Sequence, residues 1–479
     1  MRKAGVTMEL YNPTSQNPPK KRKHRSLERI IKEDYLPYVI AGVTLILVIV
    51  FISGAISRAI EKRAVDEAAA SIAAAQAEEE ALRQREQVIA QLIANAESMI
   101  ADYNYDGAKT LLESYSSEMS TFPALQSKYN EVVEIVDSLV VWDDPGEVVN
   151  LSFHPLIVDP QRAFADPSYG PGYRSSHITC TEFSNILNDL YENDYVLIDL
   201  YDLIEVSEDT VGNVTFTPKS IRLPQGKKPL ILTQTNINYY SYMVDGDGDG
   251  IADQNGDGFA SKLVVGEEGS VTAQYINSNG DVLTGDYDLV PILERFIENH
   301  PDFSYKGARA ILAVSGMEGV FGYRIDAKSK ESLDQHKFDE ETAGAAAVID
   351  ALKANGYTIA CYTYGNVAYG KLSVDEIHAD LKKWHNEISP VLPDVDILVY
   401  AKNSQLSGSD YTSAKYAALK QAGFNIFLTI SPNGQPLCQT GESYMLLDRV
   451  MVTGSNLKDK RDWFTDLFNA KTVQDPERR

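Results

Sequence analysis

Four aspartates in the stretch VDGDGDGIADQNGDGF (residues 244–259) have the spacing of a cation loop. Asp245, Asp247, Asp249 and Asp253 fall at positions 1, 3, 5 and 9 of a calcium-binding loop, with Gly250 at position 6. Carboxylates at every second residue can wrap one hard cation, and the glycine permits the sharp turn this needs. Position 12, where a bidentate acid belongs, holds Gly256, and Asp257 comes one residue late. The spacing predicts a calcium loop over residues 244–257; the competing reading is a solvated acidic insertion. A second stretch, CYTYGNVAYGKLS (361–373), continues an apolar run into a small-residue turn. In an α/β barrel such strand ends hold the chemistry. Here they offer Tyr362, Thr363, Tyr364 and Asn366, with no acid, base or good metal ligand among them.

These residues need a frame, and the sequence outlines one. After Gly146, apolar runs alternate with amphipathic segments. VVNLSFHPL, YVLIDL, PLILTQT, ARAILAVSG, YTIACYTYG, VDILVY and FNIFLTI read as strands. TEFSNILNDLYEND, YDLVPILERFIENH, EETAGAAAVIDALKANG, SVDEIHADLKKWHNEI and SAKYAALKQAG read as helices, and Ser373 with Glu376 forms a capping box. Asn279 and Gly280 mark a hairpin turn in an inserted polar region. Alternation with short loops implies parallel strands, either closed into a barrel or doubly wound. The hairpin insertions favour a decorated (β/α) barrel, with function at the strand ends: His154, Thr235 with Asn236, Gly316, Tyr362 to Asn366, and Tyr400 to Asn403.

Upstream, residues 36–57 contain no charged side chain. Twenty-two helical residues reach about 33 Å, enough to cross a bilayer core. The flank KKRKHRSLERIIK is basic, so residues 1–35 are expected in the cytoplasm and the rest of the chain outside. A cleaved signal peptide is the rival; the long basic region and long apolar run favour an uncleaved single-pass anchor. Residues 58–140 read as a helical stalk, either a lone spacer helix or a coiled coil that would oligomerise the chain, ending in a helical hairpin with a turn near Phe122 and Pro123. WDDPGE (142–147) separates it from the outer domain, residues 148–479. Residues 1–35 hold nine Lys/Arg against four Asp/Glu, so the remainder carries a net −29 of the overall −24. That acidity argues against nucleic-acid binding. Cys180, Cys361 and Cys438 show neither metal-ligand spacing nor a disulfide framework, and one bridge among them stays open.

Ordered blocks across residues 148–479 carry a resemblance: FHPLIVDPQRAF, GKKPLILTQ, NYYSYM, DGFASKLV, GDYDLVPILERFIENHPDFSYKGA, GVFGYR and DLFNAKTVQDPERR. The chain resembles the membrane-anchored polysaccharide deacetylases of Gram-positive cells, with the NodB-homology fold, a deformed (β/α) barrel. The resemblance implies a divalent metal, usually zinc, held by the second of two adjacent aspartates and by two histidines four residues apart, with the first aspartate as general base. Those positions fall on Thr235 (base) and on Asn236, Tyr362 and Asn366 (metal). A tyrosine–proline–aromatic–glycine run falls on Tyr400, Ala401, Lys402 and Asn403. A catalytic zinc is therefore not expected. His154, Tyr239, Tyr240, Arg324, Tyr364 and Tyr400 remain as groove candidates, because sugars stack on aromatic faces. Three functions follow from this: a catalytically silent domain that binds cell-surface glycan or a partner protein; an active hydrolase of N-acetylated polysaccharide using a rearranged site; or a structural protein of surface assembly.

Overall fold

The computed structural model describes residues 27–210, 214–248, 252–406, 411–441 and 443–478. The chain divides into two units, residues 1–88 and 89–479.

The described part of the first unit, residues 27–88, is helical. One helix, α1 (Leu36–Ala101), runs for 66 residues. Its apolar window has a mean hydropathy of 2.8 and is not buried. No glycine or proline after Gly54 interrupts it, and Ala, Glu, Gln and Arg sustain it. A single helix of this length and apolarity is consistent with a single-pass membrane anchor.

The second unit begins where side chains of that helix become enclosed. Ile89, Leu92 and Ala96 pack with Ala108 and Leu112 of α2 (Tyr105–Glu113) and with Leu125 and Val132 of α3 (Pro123–Ser138). This helical group is tied to the loops at the N-terminal end of the barrel. The Tyr103 hydroxyl donates to the Asp302 carbonyl at 2.6 Å, and its ring lies 5.7 Å from that of Tyr305.

Seven parallel strands close on themselves: β1 (Val149–Phe153), β2 (Lys228–Thr235), β3 (Ile311–Val314), β4 (Thr358–Cys361), β5 (Ile397–Val399), β6 (Ile426–Ile430) and β7 (Met445–Met451). Each pairs with its neighbour in chain order, and β7 returns to β1 through Val450 opposite Leu151. The alternating burial that a barrel demands is met on both faces. Ile231, Ala313, Ala360, Val399, Leu428 and Leu447 fill the inside, whereas Leu230, Leu232, Leu312, Ile359 and Phe427 meet the surrounding helices. Those helices are α4 (Cys180–Glu192), α5 (Leu289–Asn299), α6 (Gln335–Ala354), α7 (Val374–Lys383) and α8 (Ala414–Gln421).

Two features deform the ring. A short parallel strand, Tyr195–Leu197, takes the lower half of one edge of β2, leaving only the upper half for β3. An antiparallel strand, Cys438–Thr440, likewise pairs with the lower half of β7. Strand β7 has no counterpart among the strands read from sequence. Its run MLLDRVM is broken by the adjacent charges of Asp448 and Arg449, which fit neither a continuous apolar run nor an apolar alternation. The polar insertion forms the three-stranded antiparallel sheet of Lys262–Val265, Val271–Ile276 and Val282–Gly285. The three cysteines are free thiols.

Candidate functional site

The C-terminal ends of β2, β4 and β5 bring the sequence candidates to one end of the barrel. Backbone conformation marks the place. Asn236 (φ 63), Thr363 (φ 58), Asn366 (φ 49), Lys402 (φ 54) and Asn403 (φ 50) are all left-handed, and none is glycine. Such residues are uncommon and concentrate where a fold holds side chains in imposed positions. Gly316, after β3, is glycine for a steric reason: a Cβ there would lie 2.2 Å from the Tyr364 ring.

The side chains at this mouth satisfy one another. Thr235 is enclosed, its Oγ1 lying 3.1 Å from the Phe153 carbonyl and 3.1 Å from His154 Nδ1. Asn236 Oδ1 accepts from the Tyr240 hydroxyl at 2.6 Å and from Asn366 Nδ2 at 3.4 Å. The Tyr240 hydroxyl also meets Ser315 Oγ at 2.6 Å. Tyr362 is buried, and burial raises its phenol above the ordinary value, against the smaller lowering effects of Arg449 and the Lys402 backbone. Two amide oxygens and a protonated phenol are a poor donor set for zinc, which takes thiolate, imidazole and carboxylate. Thr235, on which the resemblance places the base, carries a hydroxyl that cannot accept a proton at neutral pH. The residues present do not fit the metal that the resemblance implies.

His154 is half-buried, and its pKa is lowered to about 4 by burial and then by the charge of Arg449. Its ring centroid lies 5.4 Å from that of His177, a residue that spacing did not single out. His177 follows a short helix (Gly170–Ser176), and its carbonyl accepts from Arg478, which is itself paired with the enclosed Glu182 at 2.6 Å. The closing segment of the chain thus helps set this histidine beside the mouth. Burial and the neighbouring His154 push His177 well below its usual range. Both rings are neutral at pH 7.

The remaining candidates divide between frame and mouth. Tyr239 is fully enclosed and gives its hydroxyl to Asp288, the N-cap of α5; it anchors that helix from within the core. Arg324 holds the loop after β2, donating to the Tyr239 carbonyl at 2.7 Å and the Glu318 carbonyl at 3.1 Å. Tyr364 is buried and donates to Glu387 at 2.6 Å. Tyr400 stacks on Phe427 at 5.8 Å. Tyr240 alone continues outwards. It stacks on Tyr242 at 5.8 Å and 15°, and Tyr242 lies 5.3 Å from Tyr169. Tyr242 and Tyr169 are 43% and 47% exposed, so a line of rings leads from Asn236 to solvent.

In the acidic loop, Asp245, Asp247 and Asp253 offer carboxylate oxygens within 4.8 Å of one another. Asp249 lies outside the described residues. The loop is pinned at its base by Asp253 N–H to the Val244 carbonyl and Asp257 N–H to the Met243 carbonyl. This explains the missing acid at position 12: a Cβ on Gly256 would come within 2.6 Å of the Val244 carbonyl. Asp257 is not in the cluster; it accepts from the Tyr173 hydroxyl at 2.6 Å.

No family model matches the chain, and no curated protein matches it. Among solved structures, a Streptococcus pyogenes deacetylase, PplD, in complex with acetate aligns at a TM-score of 0.35 with 10% identity, covering 69% of this chain and 98% of that one.

Proposed function

We propose that residues 148–479 form a polysaccharide-deacetylase-like domain that has lost hydrolysis and binds cell-surface glycan. In this reading residues 36–57 cross the membrane and residues 1–35 remain cytoplasmic. One observation carries the proposal. The positions that would supply base and metal ligands hold Thr235, Asn236, Tyr362 and Asn366, and Asn236 accepts both from the Asn366 amide and from Tyr240, the first ring of a line reaching solvent. Such a mouth has lost its proton acceptor and its hard ligands, yet keeps a preset backbone and aromatic faces of the kind that sugars cover.

Two measurements test this on the full chain in detergent micelles. The chain should be retained on N-acetylglucosamine polymer and release no acetate from it. Replacing Tyr169 and Tyr242 together by alanine should weaken retention by about tenfold, if each ring contributes about 0.5–1.5 kcal/mol. Metal-dependent acetate release by the unmodified chain overturns the loss of hydrolysis, and unchanged retention of the double variant removes the tyrosine platform. Orientation is read separately. Protease added to intact cells should digest residues beyond 57 and spare an N-terminal tag; digestion of the tag reverses the topology.

A further inference from the structure

Arg449 heads the largest fully buried side chains of the molecule. It projects from β7 into the barrel, where its Nη1 reaches Ser152 Oγ on β1 at 3.0 Å and Met451 Sδ at 3.6 Å. Its Nη2 reaches the Tyr400 carbonyl, just past β5, at 3.3 Å. Every one of these acceptors is neutral. Among the described residues no carboxylate lies within ion-pair distance of the guanidinium, and its Nε–H has no acceptor. Asp448, the preceding residue, turns to the opposite face of β7 and accepts from Thr429. The other titratable groups that the guanidinium senses, Tyr362 and His154, are uncharged at neutral pH.

A second enclosed donor stands beside it. The register of β7 with β1 sets Val450 opposite Leu151, so Arg449 neighbours Asn150 on the same barrel face. Asn150 Oδ1 accepts from Thr233 at 2.8 Å, while its Nδ2 is fully buried and has no acceptor among the described residues. An enclosed cation whose nearest carboxylate, Asp448, acts on it only from the opposite face of the strand, next to an enclosed amide without an acceptor, is an unstable arrangement for a protein interior. A planar group with two anionic oxygens matches it, because a guanidinium edge donates two nearly parallel N–H bonds to a carboxylate.

We propose that Arg449 and Asn150 bind a carboxylate at the head of the barrel, beneath the mouth formed by His154, Asn236 and Asn366. The group comes from an acidic sugar or from a small free carboxylate. The proposal deepens the glycan reading by naming a charged ligand class, and it rests on that reading only for the sugar as source.

The test is thermal unfolding of the full chain in detergent micelles at constant ionic strength set with sodium fluoride. Sodium acetate, sodium glucuronate and neutral glucose are titrated. Acetate or glucuronate should raise the midpoint saturably, by several degrees at a hundredfold excess over its dissociation constant, and glucose should not. A response to glucuronate at lower concentration than to acetate assigns the group to a sugar; the reverse assigns it to a free carboxylate. Arg449→Met should abolish the response. Asn150→Asp preserves the acceptor for Thr233 and supplies an internal carboxylate beside the guanidinium. It should raise the midpoint without added anion and erase the anion dependence. Absence of any shift in the unmodified chain overturns the proposal, as does an Asn150→Asp variant that responds like the parent, even where Arg449→Met fails to fold. Retention on neutral N-acetylglucosamine polymer is independent of these outcomes, so failure here and failure of glycan binding are told apart.

Discussion

The barrel mouth and the acidic loop are separated in sequence by little more than the tyrosines at 239, 240 and 242, yet they treat charge in opposite ways. At the mouth, enclosed positions hold Thr235 and Tyr362, half-buried ones hold Asn236 and Asn366, and the Asn366 amide donates to that of Asn236. In the loop, Asp245, Asp247 and Asp253 crowd within 4.8 Å. There the Asp245 and Asp253 carboxylates accept from backbone N–H groups of the loop, Gly248 to Asp245 at 2.7 Å and Asn255 to Asp253 at 2.7 Å. The difference is one of solvent. Water screens like charges in an exposed loop, whereas an enclosed carboxylate pair without a cation is costly. Neutral amides and a phenol are what such a pocket tolerates when no metal compensates.

The strongest way to break the comparison is to recharge the mouth. The fourfold variant Thr235→Asp, Asn236→Asp, Tyr362→His and Asn366→His should bind one divalent ion per chain, measured by metal analysis after dialysis. Zinc should then stabilise it by about 4 kcal/mol at a thousandfold excess over its dissociation constant. A metal-free variant would show that these positions do not converge as the strand ends suggest.

Acid should sharpen the contrast next. The folded pKa of His154 is about 4 and its ordinary value is 6.5. Between those values the unfolded ring takes up a proton that the folded ring refuses, so stability falls as pH drops from 6.5 towards 4. For this group alone the loss is on the order of 3 kcal/mol, and His177 adds to it in the same sense. Buried Asp288, whose carboxyl is raised by burial, works the other way. The diagnostic is therefore the difference between the unmodified chain and His154→Gln, whose midpoint should fall less steeply between pH 6.5 and 4. Parallel curves would place His154 in contact with solvent.

The loop supplies the smallest expected effect. Chelation should lower the thermal midpoint and calcium restore it, by about 2.7 kcal/mol at a hundredfold excess over the dissociation constant. Asp247→Ala should remove the difference. Identical unfolding with chelator and with calcium would leave residues 244–257 as a solvated insertion.

Much of this molecule is written locally. The apolar span, the uninterrupted helix that follows it and the cap of α7, where both Ser373–Glu376 bonds form, depend on residues within a few positions of one another. So do six of the seven barrel strands, each of which keeps an apolar run or an apolar alternation of its own. The strand-end positions were legible for the same reason, since alternation alone says where each strand stops. Three things needed the closed barrel. Strand β7 was hidden because Asp448 and Arg449 interrupt its pattern, and only closure against β1 makes it a strand. His177 reaches His154 through the packing of the C-terminal segment, with no fixed spacing to announce it. Tyr239 and Tyr240 are adjacent in sequence and equally aromatic, yet one is locked onto Asp288 in the core and the other starts the line of rings towards solvent. Hydrogen bonds between near neighbours are decided by the chain itself. Whether a charge or a ring is enclosed depends on what distant strands set beside it, and that is a property of the folded barrel alone.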